Sequence, residues 1–416
     1  MAAQFFDWFR PMQSDISGMS PGAPTARYRA LFYVFDGGSG IGHLRRLARI
    51  AAAMQDRFSC LIITGHDVGP QWIVAQGCEY IRLPAWDSLI PAKAAYWGRT
   101  PFLDVPLSEA VELRRSILEG VFKGFRPDVL LVDHLPLGAH EELAPIIRNG
   151  DCRKYLITRG VQNETEDLQR LVLGGAALDS LRDNYTRILS AIDKRIFDFS
   201  ASYGLPAEIA QKISSTGYVA PPVAPEHRAQ TRAARGIGED ALWVVASAGG
   251  GQWGEPLMEA CLALTDLDRT VHFDIILGPR SRLPRPANNP ELLDGGRIRV
   301  HTSCSSLADF HSAADLVITT GGYNSLLETL QGQARILCLP YRKDPGDEPV
   351  RHANCLKQHV DLQVDTDISR LPAMFEAAIR ECRTGPARDQ RRAISMDGAD
   401  GIAQIVFNDV SSAKGL

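Results

Sequence analysis

Two histidines of the sequence follow predicted strands and could take part in proton transfer. His43 comes directly after the glycine-rich stretch 36–42, at the start of a predicted helix. Because the positive end of a helix dipole disfavours an imidazolium, we expect a neutral ring near pH 7. A neutral imidazole can accept a proton from a hydroxyl group. His43 is therefore a candidate general base, with hydrogen bonding to a diphosphate as its competing role.

Three other carboxyl or imidazole groups also lie at the ends of predicted strands and have alternative roles. Asp133 ends the apolar run 128–133 and His134 follows it, and either could act as the base in place of His43. A structural alternative is a strand end at which Asp133 bonds to turn amides. Asp36, which precedes the first glycines, could orient His43 or bind an acceptor molecule.

Glycine-rich turns follow three of the predicted strands. Glycine lets the backbone approach a ligand closely, and a helix after the turn directs free N–H groups at an anion. The pattern suits a diphosphate, although many such turns are only tight connections. Arg159 also follows a predicted strand and could contact phosphate or acceptor. The turns comprise Gly38, Gly40 and Gly42, then Gly249, Gly250 and Gly251, then Gly321 and Gly322 before Asn324 and Ser325.

Several other site types are excluded by the motifs. The first turn lacks the G-x-G-x-x-G spacing of dinucleotide-binding folds, and no Gly-Lys-Ser/Thr follows it as in a P-loop. No nucleophile elbow or zinc signature is present. The Asp-x-Asp pairs at 266–268 and 365–367 could hold a metal, but they lie in polar turns and are expected to be solvated carboxylates. We therefore expect neither a metal nor a cofactor.

Strands and helices alternate along most of the chain. This alternation predicts parallel sheets with helices on both faces. The proline-containing stretch 216–227 interrupts it, so we expect two doubly wound domains separated by a linker. The strands are predicted at 30–35, 60–64, 80–84, 128–133 and 154–158 in the first half, and at 241–248, 271–277, 297–301, 315–320 and 335–340 in the second.

The expected division of the chain follows from these elements. In the helix after the first turn, Leu44, Leu47, Ala48, Ala51 and Met54 share one face, and the arginines at 45, 46 and 49 lie elsewhere. The predicted parts are an N-terminal extension (1–27), an N-terminal Rossmann-like domain (28–215), a linker (216–227), a C-terminal Rossmann-like domain (228–385) and a C-terminal helix that packs back toward the N-terminal domain (386–416).

Composition places the chain among cytoplasmic globular proteins. The formal net charge is −4, which gives no basic surplus for nucleic-acid binding. The eight cysteines are scattered without a Cys-x-x-Cys pair, as expected of reduced thiols. No apolar run is long enough to cross a bilayer. An aromatic cluster at 5–9 leaves a peripheral membrane contact of the N-terminal part open, although a simple packing patch or tail is favoured.

The motifs together resemble those of a known family. The segments DGGSGIGHLRR (36–46), VDHLPLG (132–138) and GGYN (321–324) resemble GT-B glycosyltransferases, in the branch that includes the N-acetylglucosaminyltransferase of peptidoglycan synthesis. The sequence is most similar to a group of predicted bacterial glycosyltransferases. The resemblance covers roughly residues 28–380 and implies two Rossmann-like domains that face a central cleft. The longer N-terminal extension departs from the family and leaves the acceptor undefined.

The resemblance also implies roles for individual residues. The C-terminal domain would hold a nucleotide diphosphate sugar, with the second and third glycine turns facing its diphosphate. Glu328 resembles the family glutamate that accepts hydrogen bonds from the ribose hydroxyls; its alternative is a solvated helix residue. Glu348, Arg351 and Asn354 resemble positions that contact the hydroxyls of the donor sugar.

The implied function is inverting, metal-independent transfer of a sugar to a hydroxyl or amine, with a UDP-linked sugar as the expected donor. The acceptor would be a small molecule or a glycan, and it would bind the N-terminal domain. Trp86, Tyr96, Trp97 and Phe102 could form an aromatic platform for it, or could pack the domain edge. Two alternatives are a sugar-nucleotide 2-epimerase of the same fold and a non-catalytic nucleotide-sugar-binding protein. The epimerase usually has consecutive glutamates after the last glycine pair, whereas GGYNSLLE has one.

Overall fold

Two β-sheets, one in each half of the chain, position the residues considered above. This computed structural model describes residues 27–37, 41–67, 73–74, 77–88, 97–100, 102–162, 168, 173–221, 223–224, 226–250, 253–340, 348–385 and 394–413. The predicted fold class is confirmed, because each half is an α/β unit built on a parallel sheet. Among the described helices, none is both long and apolar enough to span a bilayer.

The first sheet has seven parallel strands in the order β3-β2-β1-β6-β7-β8-β9. A separate two-stranded hairpin, β4-β5, lies outside it. The central strand β1 has five consecutive buried residues, as expected for a strand covered on both faces. The strands are β1 (Tyr28–Val34), β2 (Phe58–Thr64), β3 (Glu79–Arg82), β4 (Asp87–Ser88), β5 (Trp97–Arg99), β6 (Val129–Asp133), β7 (Arg153–Thr158), β8 (Arg187–Ser190) and β9 (Ile213–Ser215).

The helices of the first half connect these strands. The predicted apolar face of the first helix is buried, and its apolar residues contact the β1 and β2 side of the sheet. The helices are α1 (Gly42–Met54), α2 (Leu107–Phe125), α3 (Ala144–Asn149), α4 (Ala176–Asp183), α5 (Phe199–Ser202) and α6 (Ala207–Ala210), with a 3-10 turn at Ala139–Glu141.

The second sheet repeats this plan with the order β12-β13-β11-β10-β14-β15-β16. All its neighbouring pairs are parallel except the edge pair β12–β13. Its strands are β10 (Trp243–Ser247), β11 (His272–Ile276), β12 (Glu291–Leu293), β13 (Ile298–His301), β14 (Leu316–Thr319), β15 (Arg335–Cys338) and β16 (Leu362–Val364).

Seven helices complete the second half and the C-terminal region. In the described part of this region they are α7 (His227–Arg235), α8 (Glu255–Leu264), α9 (Leu307–Ala313), α10 (Tyr323–Thr329), α11 (Glu348–Leu356), α12 (Leu371–Thr384) and α13 (Gly398–Ala413), and 3-10 turns occur at Asp294–Gly296 and Ile368–Arg370.

The strand order reverses at one point in each sheet. In the first sheet β1 lies between β2 and β6, and in the second β10 lies between β11 and β14. The connections that follow β1 and β6 therefore leave toward opposite faces of the first sheet. Those that follow β10 and β14 do the same in the second sheet. Such switch points open a crevice at the carboxyl ends of the strands, where ligands bind in doubly wound folds.

One cluster of buried apolar residues is shared by the two halves. Tyr218 and Val219, in the segment between the sheets, are fully buried. Tyr218 lies 5.8 Å from the ring of Tyr323, and its hydroxyl is 3.0 Å from Nε2 of His352. The hydroxyl of Tyr323 donates to the carbonyl of Ala191 beyond β8. The segment between the sheets is therefore part of the packed structure rather than an exposed spacer.

The C-terminal helix α13 packs against the first half of the chain. Ile402, Val406 and Val410 are buried among the apolar residues of α1 and the first sheet. Asp409 accepts two hydrogen bonds from the guanidinium of Arg187 on β8. The first domain thus includes a segment from the far end of the sequence.

We expect the substitution Ile402→Ala to destabilise the first domain, since it removes a fully buried side chain that the surroundings can only partly replace. The free energy of unfolding should fall by about 2–5 kcal/mol. Urea denaturation followed by circular dichroism measures the change. Asn408→Ala, on the exposed side of the same helix, is the control and should change stability by no more than about 0.5 kcal/mol. Equal effects of the two substitutions would contradict the packing of α13.

Candidate active site

A histidine and an aspartate meet at the switch point of the first sheet. β1 and β6 are neighbours, so the turn after β1 and the end of β6 lie side by side. His43 is the second residue of α1, and Asp133 is the last residue of β6. Nδ1 of His43 is 2.6 Å from Oδ2 of Asp133, which is fully buried. The carboxylate thereby fixes the ring and leaves Nε2 to act on a substrate.

Burial sets the protonation states of this pair. Removal from water lowers the pKa of His43, and the cations Arg46 and Arg159 act in the same direction against the attraction of Asp133. For Asp133, burial alone would raise the pKa, but His43 and Arg46 hold it well below its usual range. A neutral imidazole beside an ionised carboxylate is the expected state at neutral pH. The sequence predicted a neutral His43 from the helix dipole; in the structure, burial is the first cause of its lowered pKa.

The second histidine lies next to this pair. The ring centroid of His134 is 5.4 Å from that of His43 and 5.3 Å from that of Phe35. Burial, followed by the charges of His43 and Arg159, lowers the pKa of His134 well below its usual value. The backbone of His134 has φ +66°, in the left-handed region that non-glycine residues seldom adopt. Such strained positions occur at functional sites, and His134 remains a second candidate for contact with a substrate.

Arg46 was predicted to lie away from the buried face of α1, and that prediction is wrong. Its guanidinium is buried, and NH2 donates to Oδ1 of Asp133 at 2.6 Å. The same NH2 is 3.3 Å from Nδ1 of His43. The reason for the error is physical: an arginine is normally solvated unless a carboxylate compensates its burial, and the spacing of residues on α1 does not reveal that carboxylate.

Asp36 pairs with Arg114 and not with His43. Its two carboxylate oxygens each lie 3.0 Å from the guanidinium of Arg114, which is fully buried. Arg114 also binds both oxygens of Glu142, at 2.6 and 2.7 Å. Asp133 rather than Asp36 therefore orients His43. Asp36 is instead joined to α2 through Arg114, which also holds Glu142, the residue after the 139–141 turn.

The glycine turns of the second sheet lie at its switch point. Gly249 follows β10 with φ +59°, and Gly321 follows β14 with φ +79°. A Cβ atom on Gly321 would approach Sγ of Cys338 to 2.7 Å, so a side chain is excluded there. The exposed Gly250 lies next to Gly249, and its carbonyl accepts from the backbone N–H of Arg280. Of the predicted turn residues, Gly38, Gly40 and Gly251 lie outside the described part of the chain.

The first glycine turn, in the first half, lies next to the third glycine turn, in the second half. A Cβ atom on Gly42, the first residue of α1, would lie 3.1 Å from Nδ2 of Asn324 at the start of α10. Oδ1 of Asn324 is buried without a hydrogen-bond partner among the described residues. Ser325 is also buried, and Gly322 directly precedes α10. The structure therefore brings the first and third glycine turns to one place.

Glu328 is buried rather than solvated. Its Oε1 is 2.5 Å from NH2 of Arg45 and 3.2 Å from NH2 of Arg49, both on α1 of the other half. Its Oε2 makes no hydrogen bond among the described residues and lies 3.6 Å from Nδ1 of His311. Burial would raise the pKa of Glu328, but Arg45, His311 and Arg49 lower it to about 2. Glu328 is thus ionised and has one oxygen that could still accept hydrogen bonds.

The predicted sugar-contacting residues lie on α11 and reach toward the first half. Oε2 of Glu348 forms an ion pair with NH2 of Arg159 at 2.8 Å, which joins two of the predicted site residues. Arg351 donates to the carbonyl of Gln162 at 3.0 Å. Asn354 is half-buried on the same helix, two turns from its start. The carboxylate and guanidinium groups of α11 therefore border the cleft from the second domain.

The rival motifs lie away from the cleft. Asp268 accepts hydrogen bonds from Thr270 and Arg383, and Asp367 caps the 3-10 turn at 368–370. In the described part of the chain, no three His, Cys, Asp or Glu side chains are grouped so that they could hold a metal ion.

Trp86 and Phe102, two residues of the suggested aromatic platform, differ in burial. Trp86 is buried against the guanidinium of Arg114, with 4.8 Å from Cζ to the ring centroid, whereas Phe102 is 89% exposed. Tyr96 and the side chain of Trp97 lie outside the described part of the chain. Trp86 therefore contributes to the packing of the first domain.

Sequence reasoning missed the ion pairs that the arginines of α1 make at this site. Arg46 lies three residues after His43, and Arg49 lies four residues after Arg45, which are spacings that place side chains on a common side of a helix. The spacing thus places Arg46 beside His43 and Arg49 beside Arg45 on the surface of α1. It does not reveal their partners, Asp133 and Glu328, which are far away in the sequence.

The fold is shared with solved glycosyltransferase structures. The glycotransferase of kitacinnamycin is 15% identical and matches 93% of this chain and 100% of its own, with a TM-score of 0.60. CalG4, the calicheamicin glycosyltransferase, is 14% identical over 94% of this chain and 98% of its own, with a TM-score of 0.58. MurG of Acinetobacter baumannii is 14% identical over 92% and 100%, with a TM-score of 0.56.

These comparisons concern architecture. No family model and no curated protein matches the sequence. At such low identity the structural likeness establishes a common fold, the GT-B arrangement of two α/β domains, which agrees with the fold that the sequence motifs implied. The particular branch of GT-B glycosyltransferases that the motifs resemble stays a prediction.

Proposed function

We propose that this protein is an inverting glycosyltransferase that moves a sugar from a nucleotide diphosphate sugar to a hydroxyl or amine group. The observation that carries the proposal is the His43–Asp133 pair at the switch point of the first sheet, opposite the glycine turns of the second. A base in one domain and anion-binding turns in the other would suit a reaction between two substrates in the cleft. The fold shared with glycosyltransferases supports the same conclusion.

The proton would move from the acceptor to His43. Nδ1–H of His43 donates to Asp133, so Nε2 is the acceptor of the neutral ring. As the acceptor oxygen or nitrogen attacks the anomeric carbon, its proton passes to Nε2, and the bond from that carbon to the diphosphate oxygen breaks. Attack on the face opposite the leaving group inverts the configuration. Asp133 would stabilise the imidazolium that forms, without itself taking the proton.

The negative charge of the leaving diphosphate would be met by the protein. Backbone N–H groups of the turns at 249–250 and at Gly322 could contact the diphosphate, whereas the N–H of Gly321 donates to Oγ1 of Thr319. α1 begins without a side-chain cap from its preceding residue, Ile41, so its first N–H groups could also contribute. Arg45 and Arg49 on α1 reach Glu328 on α10 of the second domain. These fixed donors and cations could stabilise the developing charge electrostatically. We therefore propose that transfer needs no metal ion.

Glu328 is proposed to bind the ribose of the nucleotide. The carboxylate is ionised, and its Oε2 makes no hydrogen bond among the described residues, although it faces Nδ1 of His311 at 3.6 Å. Because Oε2 is buried, a ribose hydroxyl would reach it only after the side chains around it move. The two arginines occupy only Oε1. By the resemblance of the motifs, the nucleotide is UDP, with Glu348, Arg351 and Asn354 toward the sugar.

The direct test is incubation of the protein with a panel of nucleotide sugars and acceptors. Release of nucleotide that depends on an acceptor, with transfer of the sugar, supports the proposal. Formation of an epimer without an acceptor would support the 2-epimerase instead. Binding without any product would indicate a nucleotide-sugar sensor.

His43→Ala should lower the turnover number by about 10²–10⁴-fold, because the acceptor would lose its general base. The affinity for the nucleotide sugar should change little. Steady-state kinetics and calorimetry with the donor measure the two quantities. If donor affinity collapses while turnover survives, His43 is a phosphate contact, and the base must be sought at Asp133 or His134.

A chelator should leave turnover largely intact, since the leaving charge is assigned to protein groups. The measurement is the initial rate of transfer in excess EDTA, compared with the rate after addition of magnesium or manganese. Loss of nearly all activity in EDTA, with recovery on addition of either metal, would overturn metal independence. The Asp-x-Asp motifs would then have to be reconsidered.

Glu328→Ala should weaken binding of uridine diphosphate by roughly 10- to 150-fold, which corresponds to about 1.5–3 kcal/mol for a hydrogen bond to a charged group. The parent should bind the 2′-deoxy analogue less tightly than the ribonucleotide, and the variant should discriminate much less. Arg49→Met is the matched control, since it removes an ion-pair partner but keeps the carboxylate. This control should retain the discrimination. Equal affinity of the parent for both nucleotides would show that the ribose lies elsewhere.

A further inference from the structure

We propose that Arg46 is a positioning residue of the His43–Asp133 pair, which holds the carboxylate in place and keeps His43 in its proton-accepting form. The proposal rests on the function proposed above for His43. Arg46 is the last residue of the motif DGGSGIGHLRR on which the resemblance rests, but the resemblance assigns it no role. Its assignment follows from the contacts, burial and charges around Asp133.

The two oxygens of Asp133 are divided between two side chains of one helix. Oδ1 accepts from NH2 of Arg46 at 2.6 Å, and Oδ2 contacts Nδ1 of His43 at the same distance. Oδ2 also accepts from the backbone N–H of Phe35 at 3.3 Å, which is the turn-amide contact considered as an alternative role of Asp133. His43 and Arg46 are three residues apart on α1, so a single rigid element fixes both donors. Rotation of the carboxylate would break at least one of these charge-assisted bonds. Arg46 therefore restricts Asp133 to the orientation that His43 requires.

Arg46 also balances the charge of a carboxylate that water cannot reach. Asp133 and Arg46 are both buried, and an isolated buried charge is strongly unfavourable. Without Arg46, the attraction of Asp133 would act on His43 alone, and it would favour the imidazolium. An imidazolium cannot accept a proton from a substrate. The guanidinium thus preserves the basic form of His43 while leaving the hydrogen bond to Asp133 intact.

Other charged groups around His43 come from several elements. Asp133 ends β6, His134 follows it, and Arg159 follows β7. Arg159 is itself paired with Glu348 of α11. Among the described residues, Arg46 is the one cation whose contact with the carboxylate of Asp133 is direct. Removal of Arg46 should therefore affect His43 more than removal of any other arginine of α1.

The second domain covers this arrangement. Cζ of Arg46 lies 5.9 Å from the ring centroid of Tyr323, the first residue of α10. The hydroxyl of Tyr323 donates to the carbonyl of Ala191 in the first half. The aromatic ring is thus held over the guanidinium and helps to exclude water from it. Arg46 is fixed from both sides of the cleft.

The test is a titration of His43 in the parent, in Arg46→Met and in Arg49→Met, by NMR of the labelled imidazole. Arg46→Met keeps the apolar stem but removes the charge, and we expect about a tenfold rise in the proton affinity of His43, which is one pKa unit. Arg49→Met is the matched control on the same helix, with Glu328 as its partner, and it should leave the titration of His43 unchanged. An unchanged titration in Arg46→Met, or equal shifts in both variants, would overturn the proposal.

Kinetics provide the second readout. The acid limb of kcat/KM should move to higher pH in Arg46→Met, since the basic form of His43 is lost at a higher pH, while KM for the donor changes little. Arg46→Lys retains the charge and should keep the acid limb near that of the parent. If Arg46→Met does not fold, as judged by circular dichroism, Arg46→Gln removes the same charge with a polar side chain. An acid limb that moves equally in the Lys variant would also contradict the proposal.

The proposed sugar transfer and the proposed role of Arg46 can be disproved independently of each other. Absence of sugar transfer by the parent would remove the proposed function, whereas the NMR titration needs no substrate and would still report on Arg46. A parent that transfers sugar, together with an Arg46→Met variant that titrates like it, would remove only the role of Arg46.

Discussion

The charge on Asp133 is the constraint on which the site depends. A carboxylate at the end of a central strand is removed from water, so the chain must supply hydrogen-bond donors and positive charge around it. α1 supplies both through His43 and Arg46, which requires the glycine-rich turn between β1 and α1 to bring the start of the helix to the end of β6. The position of α1, the orientation of the imidazole and the packing of the second domain against Arg46 all follow from satisfying one buried charge.

Much of the fold could be predicted because each buried strand is visible in the sequence as a run of apolar residues. Apolar runs such as 30–35 and 128–133 are strands in the structure, and the glycine turns follow strands as expected. The short strands β8, β9 and β16 were not predicted. Each has three or four residues, too few for a clear pattern, and pairing with a neighbouring strand decides their conformation.

The contacts within the site were harder to predict than the elements. That His43 lies beside Asp133 depends on the reversal of strand order, because β6 rather than β3 is the second neighbour of β1. The burial of Glu328 depends on arginines almost three hundred residues away in the sequence. Chemistry could be assigned to single residues from their type and position, but the partners come from topology, which local patterns do not contain.

Because α13 belongs to the core of the first domain, that domain cannot complete its packing when its own sheet has been synthesised. The strands of the first sheet end at Ser215, whereas α13 extends to Ala413. At about 5–20 residues per second, a ribosome would need on the order of 10–40 s to make the intervening chain. Throughout that interval the face of α1 that meets Val406 would remain uncovered. The site-bearing half of the molecule therefore begins to form first and is finished last, and its exposed helix would be the surface for a chaperone to protect during synthesis.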